Sequence, residues 1–180
     1  MAKRAGMTFE SMDFISHGLW SGVAFGRKSK KYFLWSFLIG IAPDVLSFGI
    51  FMAANVLGIL GDSSASWQRE AGTPPMDSIP VFVHVLYNFT HSLVIFGIVF
   101  LLVWLIWKKP VWPLLAWGLH ILVDIPSHSD TFFPTPFLYP ISDFHVNGIN
   151  WGNPIIFFPN WILLFLAYGG WWLYRKCRAK

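Results

Sequence analysis

Charge is what this sequence has least of. Only 12% of its 180 residues are Asp, Glu, Lys or Arg, where a soluble domain carries about 25%. Hydrophobic residues make up 55%, with eleven Trp and eighteen Phe among them. A small water-facing surface cannot hide so many large rings, so the deficit favours a lipid-facing exterior over a large dry core. Mean hydropathy of +0.53 points the same way.

Cysteine is scarce too. The single Cys177, in Arg175-Lys176-Cys177-Arg178, excludes a disulfide framework and a thiolate metal cluster. It reads as an incidental thiol, with juxtamembrane palmitoylation the alternative. A cleavable leader is not expected either. Met1-Ala2-Lys3-Arg4 is basic but precedes no long apolar core with a small-residue cleavage site. The net charge of +4 does not imply nucleic acid, because the basic residues flank apolar runs without interleaving with them. That is how membrane proteins use Lys and Arg to fix orientation.

Long apolar stretches are what the chain does have. A crossing takes roughly 20 mostly apolar residues. Residues 32–60, 80–107, 111–125 and 154–174 are the expected spans, the third being short. Phe14 to Gly26 is about half a span and reads as a re-entrant or interfacial helix. Residues 1–31 form a basic N-terminal segment, and residues 61–79 and 126–153 form long loops. The first loop is rich in Ser, Gly and Pro, and the second is an irregular aromatic lid. Basic clusters at Arg27 to Lys31, Lys108-Lys109 and Arg175 to Lys180 fall on one side. Asp62, Glu70, Asp77, Asp130 and Asp143 fall on the other, with Arg69 the exception. The expected architecture is therefore one all-α domain, a helical bundle with four crossings and both termini cytoplasmic.

Against this background the ionisable residues inside the spans stand out, since each costs several kcal/mol to insert. Asp44, His84, His91, His120 and Asp124 are such residues, and Asp13 and His17 lie in the short segment. His120 and Asp124 are four apart and share a helix face, as do Asp13 and His17. His84, Asn88 and His91 form a similar stripe. His128 would extend the His120–Asp124 face, but Pro126 is expected to end that helix first. Counting about 1.5 Å per residue from the nearest basic residue, Asp44 lies roughly 20 Å deep, His91 roughly 25 Å, His120 roughly 16 Å and Asp124 roughly 22 Å. Three helices thus place His or Asp in one slab.

Imidazole and carboxylate together suit Zn²⁺, with Mn²⁺ or Fe²⁺ as alternatives. Three His and two Asp are enough for one ion with an open position, or for two ions sharing a carboxylate. Thr90 and Ser92 are placed to hydrogen-bond the ligands. Blander roles remain for single residues: His84 as an interhelical donor, Asp44 as a helix cap after Pro43, His120 with Asp124 as a structural pair, and Asp143 with His145 as loop residues.

The order His17-Gly18-Leu19-Trp20-Ser21-Gly22, Ala42-Pro43-Asp44, Thr90-His91-Ser92 and His120-Ile121-Leu122-Val123-Asp124 resembles the LexA-regulated inner-membrane metal-dependent hydrolases of bacteria. The likeness covers roughly residues 13–130. The chain departs from the pattern where Tyr87-Asn88-Phe89 stands, a stretch in which members often carry Arg. The resemblance implies a metal-dependent hydrolase of the bacterial inner membrane, distantly similar to helical zinc phospholipases C. His17, Asp44, His91, His120 and Asp124 would hold one or two divalent ions, and Asp13 or His128 would act as acid/base or complete a second site. The expected substrate is a phosphoester or ester of a membrane lipid or lipid-linked molecule. The rival expectations are a divalent-cation or proton transporter, which would call for oligomerisation, and a structural membrane protein.

Overall fold

The computed structural model describes residues 13–59 and 76–178. Much of the loop 61–79, including Asp62, Arg69 and Glu70, lies outside the described residues. The chain is all-helical. Its helices are α1 (Asp13–Phe25), α2 (Lys30–Asp44), α3 (Ile50–Val56), α4 (Val81–Thr90), α5 (Leu93–Trp107), α6 (Leu115–Ser127) and α7 (Pro154–Arg178). Short 3₁₀ turns precede α4 and α6, and a single bridge between Ser129 and Phe132 is the only β-type pairing among the described residues.

Burial is inverted relative to a soluble domain. Buried polar side chains are as numerous as buried apolar ones, and Leu, Ile, Phe and Trp crowd the surface. Helix α5 buries none of its fifteen residues, and α7 buries only Leu164. Lipid as the solvent accounts for this, because apolar side chains then lose nothing by facing outward. Two helices are long and apolar enough to cross a membrane, Lys30–Ala54 and Pro154–Arg178, each of 25 residues. At about 1.5 Å per residue each exceeds a hydrocarbon core of about 30 Å. The expected span 80–107 is instead a bent pair: α4 and α5 meet at 57°, and together they would make a third crossing.

The bend has a local cause. Ser92 caps α5 by accepting from the Ile95 amide at 3.1 Å, so the chain restarts a helix there. The Thr90 carbonyl at the end of α4 accepts from the Trp117 indole of α6 at 2.5 Å. Helix α2 has a different irregularity. Pro43 lies inside it, and Val45–Gly49 form a π-helical turn that joins it to α3. The Ser47 hydroxyl donates to the Pro43 carbonyl at 2.8 Å within that turn. Such single π turns are common at functional positions.

Helix α1 enters the bundle and packs along α2. The contact is close because small residues face each other: a Cβ on Gly40 would collide with Ser21, and one on Gly18 with Phe37 and Ile41. Helix α7 is attached to α1 by two polar contacts, Trp20 to Asn160 at 2.7 Å and the Tyr168 hydroxyl to the Leu19 carbonyl at 3.0 Å.

Helix α6 ends at Ser127, one residue past Pro126, and His128 is its extended cap, as the proline leads one to expect. One expectation is corrected: His84 does not share the buried face of α4. That face carries Val83 and Tyr87, while the His84 ring bonds the Met76 carbonyl at 3.1 Å and stacks on Phe133.

The lid, residues 128–153, is pinned at many points. Tyr87 donates to the Phe133 carbonyl at 2.9 Å, and Ser92 donates to the Tyr139 carbonyl at 2.5 Å. The amides of Gly148, Ile149 and Trp151 bond the last carbonyls of α6 and its cap. Phe51, Ile79, Val83, Tyr87 and Phe133 form an apolar cluster between the lid and α4.

Candidate metal centre

Four side chains from three stretches of chain converge. Asp44 comes from the end of α2, His91 from the α4–α5 bend, and His120 and Asp124 from one face of α6. One ligand atom from each lies within 4.8 Å of all the others. The spacing is specific. His91 Nε2 lies 3.3 Å from Asp44 Oδ1, 3.3 Å from Asp124 Oδ2 and 3.1 Å from His120 Nε2. His120 Nε2 lies 3.0 Å from Asp124 Oδ2 and 3.7 Å from Asp44 Oδ1. A tetrahedral Zn²⁺ shell, with bonds of about 2.0–2.2 Å, has ligand-to-ligand edges of about 3.3–3.6 Å. Five of the six donor pairs, at 3.0–3.7 Å, are close to that figure, and all four donors lie within 4.8 Å of one another.

The imidazoles are oriented from behind. His120 Nδ1 sits 2.7 Å from the Gly40 carbonyl, and His91 Nδ1 sits 3.1 Å from the Tyr87 carbonyl. A carbonyl only accepts, so each Nδ1 carries the proton, and in the neutral ring each Nε2 turns a lone pair toward the centre. This is the arrangement that metal-ligating His residues adopt. Two lone pairs 3.1 Å apart and facing two carboxylates repel unless a proton or a metal cation lies among them. Thr90 completes the support, with its hydroxyl 3.0 Å from His91 Nδ1 and donating to the Leu86 carbonyl at 2.8 Å. Ser92, expected to do the same, caps α5 and bonds the lid instead.

Asp124 has two occupied sides. Its Oδ2 faces His91 and His120, while its Oδ1 lies 3.0 Å from His17 Nε2 and 3.6 Å from His128 Nδ1. His17 is buried, and its ring centre is 4.1 Å from that of His120. Helix α1 therefore brings His17 to the cluster. His128, at 14% side-chain exposure, is on its rim. Asp13 is the first residue of α1, and its side chain lies outside the described residues.

His91, His120 and Asp124 are wholly buried, but the Asp44 side chain is 22% exposed. The cluster therefore opens on the Asp44 side, next to the exposed Val45 and Leu46. His145 and Asp130 pair with each other at 3.2 Å on the lid surface, away from the cluster. The sequence reading missed two contributors. Tyr87 stacks on His91 with ring centres 3.8 Å apart, a contact its position four residues earlier on α4 would have signalled. The Gly40 carbonyl has no side-chain signal, although a glycine on an apolar helix one turn before Pro43-Asp44 marks a close approach.

No family model, no characterised protein and no solved structure matches the chain. The chemistry of the site rests on its own geometry.

Proposed function

We propose that this chain is a metal-dependent hydrolase embedded in the bacterial inner membrane, acting on a phosphoester or ester of a lipid or lipid-linked molecule. The observation that carries the reading is the convergence of Asp44, His91, His120 and Asp124 within 4.8 Å, with both imidazoles tied at Nδ1 to backbone carbonyls. A divalent ion held there would supply Lewis acidity to a phosphoryl or acyl oxygen and acidify water. Asp124 offers its second oxygen to His17 and His128, a bridging arrangement that suits a second ion. His128, partly exposed at the rim, is placed to move a proton to or from a leaving group. The opening beside Asp44 and the exposed Val45 and Leu46 suits an amphiphile arriving from the bilayer.

Four crossings with both termini cytoplasmic suit the basic clusters at one end of the bundle. Helix α6 with its preceding 3₁₀ turn, Trp112 to Ser127, spans about 25 Å, near the hydrocarbon thickness.

The test is elemental analysis of the detergent-purified chain beside His120→Ala, followed by a screen of lipid phosphoesters. About one or two equivalents of zinc, manganese or iron are expected in the wild type, lost in the variant together with any hydrolysis. A wild type that holds no metal after reconstitution overturns the reading. It would leave two His and two Asp as a proton path or as structural glue.

A further inference from the structure

The end of α7 away from the lid forms a second site, of opposite charge. A cleft of about 370 Å³ is lined by Arg27, Trp171, Tyr174, Arg175 and Arg178. The last four lie at i, i+3, i+4 and i+7, so the helix presents them on one face. Arg27 faces them from the connection between α1 and α2.

The walls are held in place. Trp171 packs against Phe33 and Tyr168, with ring centres 6.1 and 5.9 Å away. The Arg178 guanidinium lies over the Tyr174 ring at 5.3 Å. Arg27 donates through Nε to the Val23 carbonyl at 2.6 Å, which meets the negative end of α1 and leaves its other N–H groups for a ligand. These charges have no acidic partner among the described residues. Every ion pair among the described residues joins a His to an Asp, and none involves Arg or Lys. Three guanidinium groups around one cleft repel one another, and the fork geometry of guanidinium matches phosphate.

We infer that this cleft binds the phosphate of an anionic phospholipid headgroup. The position selects the lipid source. The cleft opens where α7 leaves its apolar stretch, among Trp and Tyr side chains of the kind that sit at headgroup level. Basic pockets between helices at the cytoplasmic face are the usual receptors for such headgroups. The inference depends on the membrane setting of the proposed function and not on its metal chemistry.

The experiment is native mass spectrometry of the full chain in detergent. It is titrated with phosphatidylglycerol, with phosphatidylcholine of the same acyl chains, and with inorganic phosphate as competitor. One phosphatidylglycerol per chain is expected, held about tenfold more tightly than phosphatidylcholine. Arg27→Gln and Arg175→Gln should each weaken it by about tenfold, and Lys108→Gln should not. Arg175→Lys, which keeps the charge but not the fork, serves if Arg175→Gln does not fold, and should also weaken binding. Equal retention of the two lipids, or affinity unchanged in the Arg variants, overturns the inference. Displacement of the lipid by an equal concentration of inorganic phosphate overturns the lipid source. Metal content of the same samples separates either failure from a failure of the hydrolase reading.

Discussion

Helices α6 and α7 are built on opposite plans. Helix α6 has 13 residues and buries six of them, including His120 and Asp124. Helix α7 has 25 residues and buries one. Helix α7 is long enough to cross a bilayer, and α6 alone is too short. The helix that pairs polar groups inside the bundle is short and half buried, while the long, exposed α7 contributes no donor to the cluster. Chemistry here is concentrated where helices are short or broken and where side chains are buried.

The contrast can be broken most directly at Asp124, which every other member of the cluster except Asp44 approaches within 3.6 Å. Asp124→Ala should abolish bound metal and hydrolysis. Phe165→Ala on α7, where the side chain is 74% exposed, should leave both within about twofold, since surface changes usually stay within about 0.5 kcal/mol. Elemental analysis and turnover of the two variants side by side decide this. Full metal loading of Asp124→Ala would remove the distinction between the helices.

Stripping the metal should come next in size. Saturating ligand at about a thousand times its Kd stabilises by about 4 kcal/mol, so chelation should lower the thermal midpoint and added Zn²⁺ should restore it. Hydrogen exchange should localise the loosening to α1, α2 and α6 and leave α7 unchanged. A smaller effect is expected from Gly40→Ala. The added Cβ collides with Ser21, shifts the Gly40 carbonyl from His120, and should weaken metal affinity by about tenfold or more. A calibrated zinc chelator competition reads this. The smallest effect is at Tyr87→Phe, which removes the bond to the Phe133 carbonyl, a loss of about 1 kcal/mol. It should raise protease cutting within the lid while metal content stays at the wild-type level.

Much of the cluster was legible because burying charge in lipid is costly enough to make each intramembrane His or Asp conspicuous. Depth counting placed Asp44, His91, His120 and Asp124 in one slab, and the structure brings these four together. What stayed hidden was backbone. The bend at His91, the π turn after Asp44 and the Gly40 carbonyl behind His120 depend on how helices pack, and side-chain periodicity does not report it. The same limit explains His84. A straight helix through His84, Asn88 and His91 shares one face, but α4 buries Val83 and Tyr87, and His91 reaches the centre from the cap. Pro126 was a sound signal, because α6 ends one residue past it and His128 has an extended backbone.

The donors follow an order along the chain: His17, Asp44, His91, His120, Asp124 and then His128. None comes from α7. During synthesis every donor is therefore made before the last apolar helix begins at Pro154. If the cluster holds an ion as proposed, its donors from α1, α2, α6 and the end of α4 would all be made before the helix that adds none. A chain released after the lid would carry every ligand, and α7 would then be a late anchor added to an assembled core.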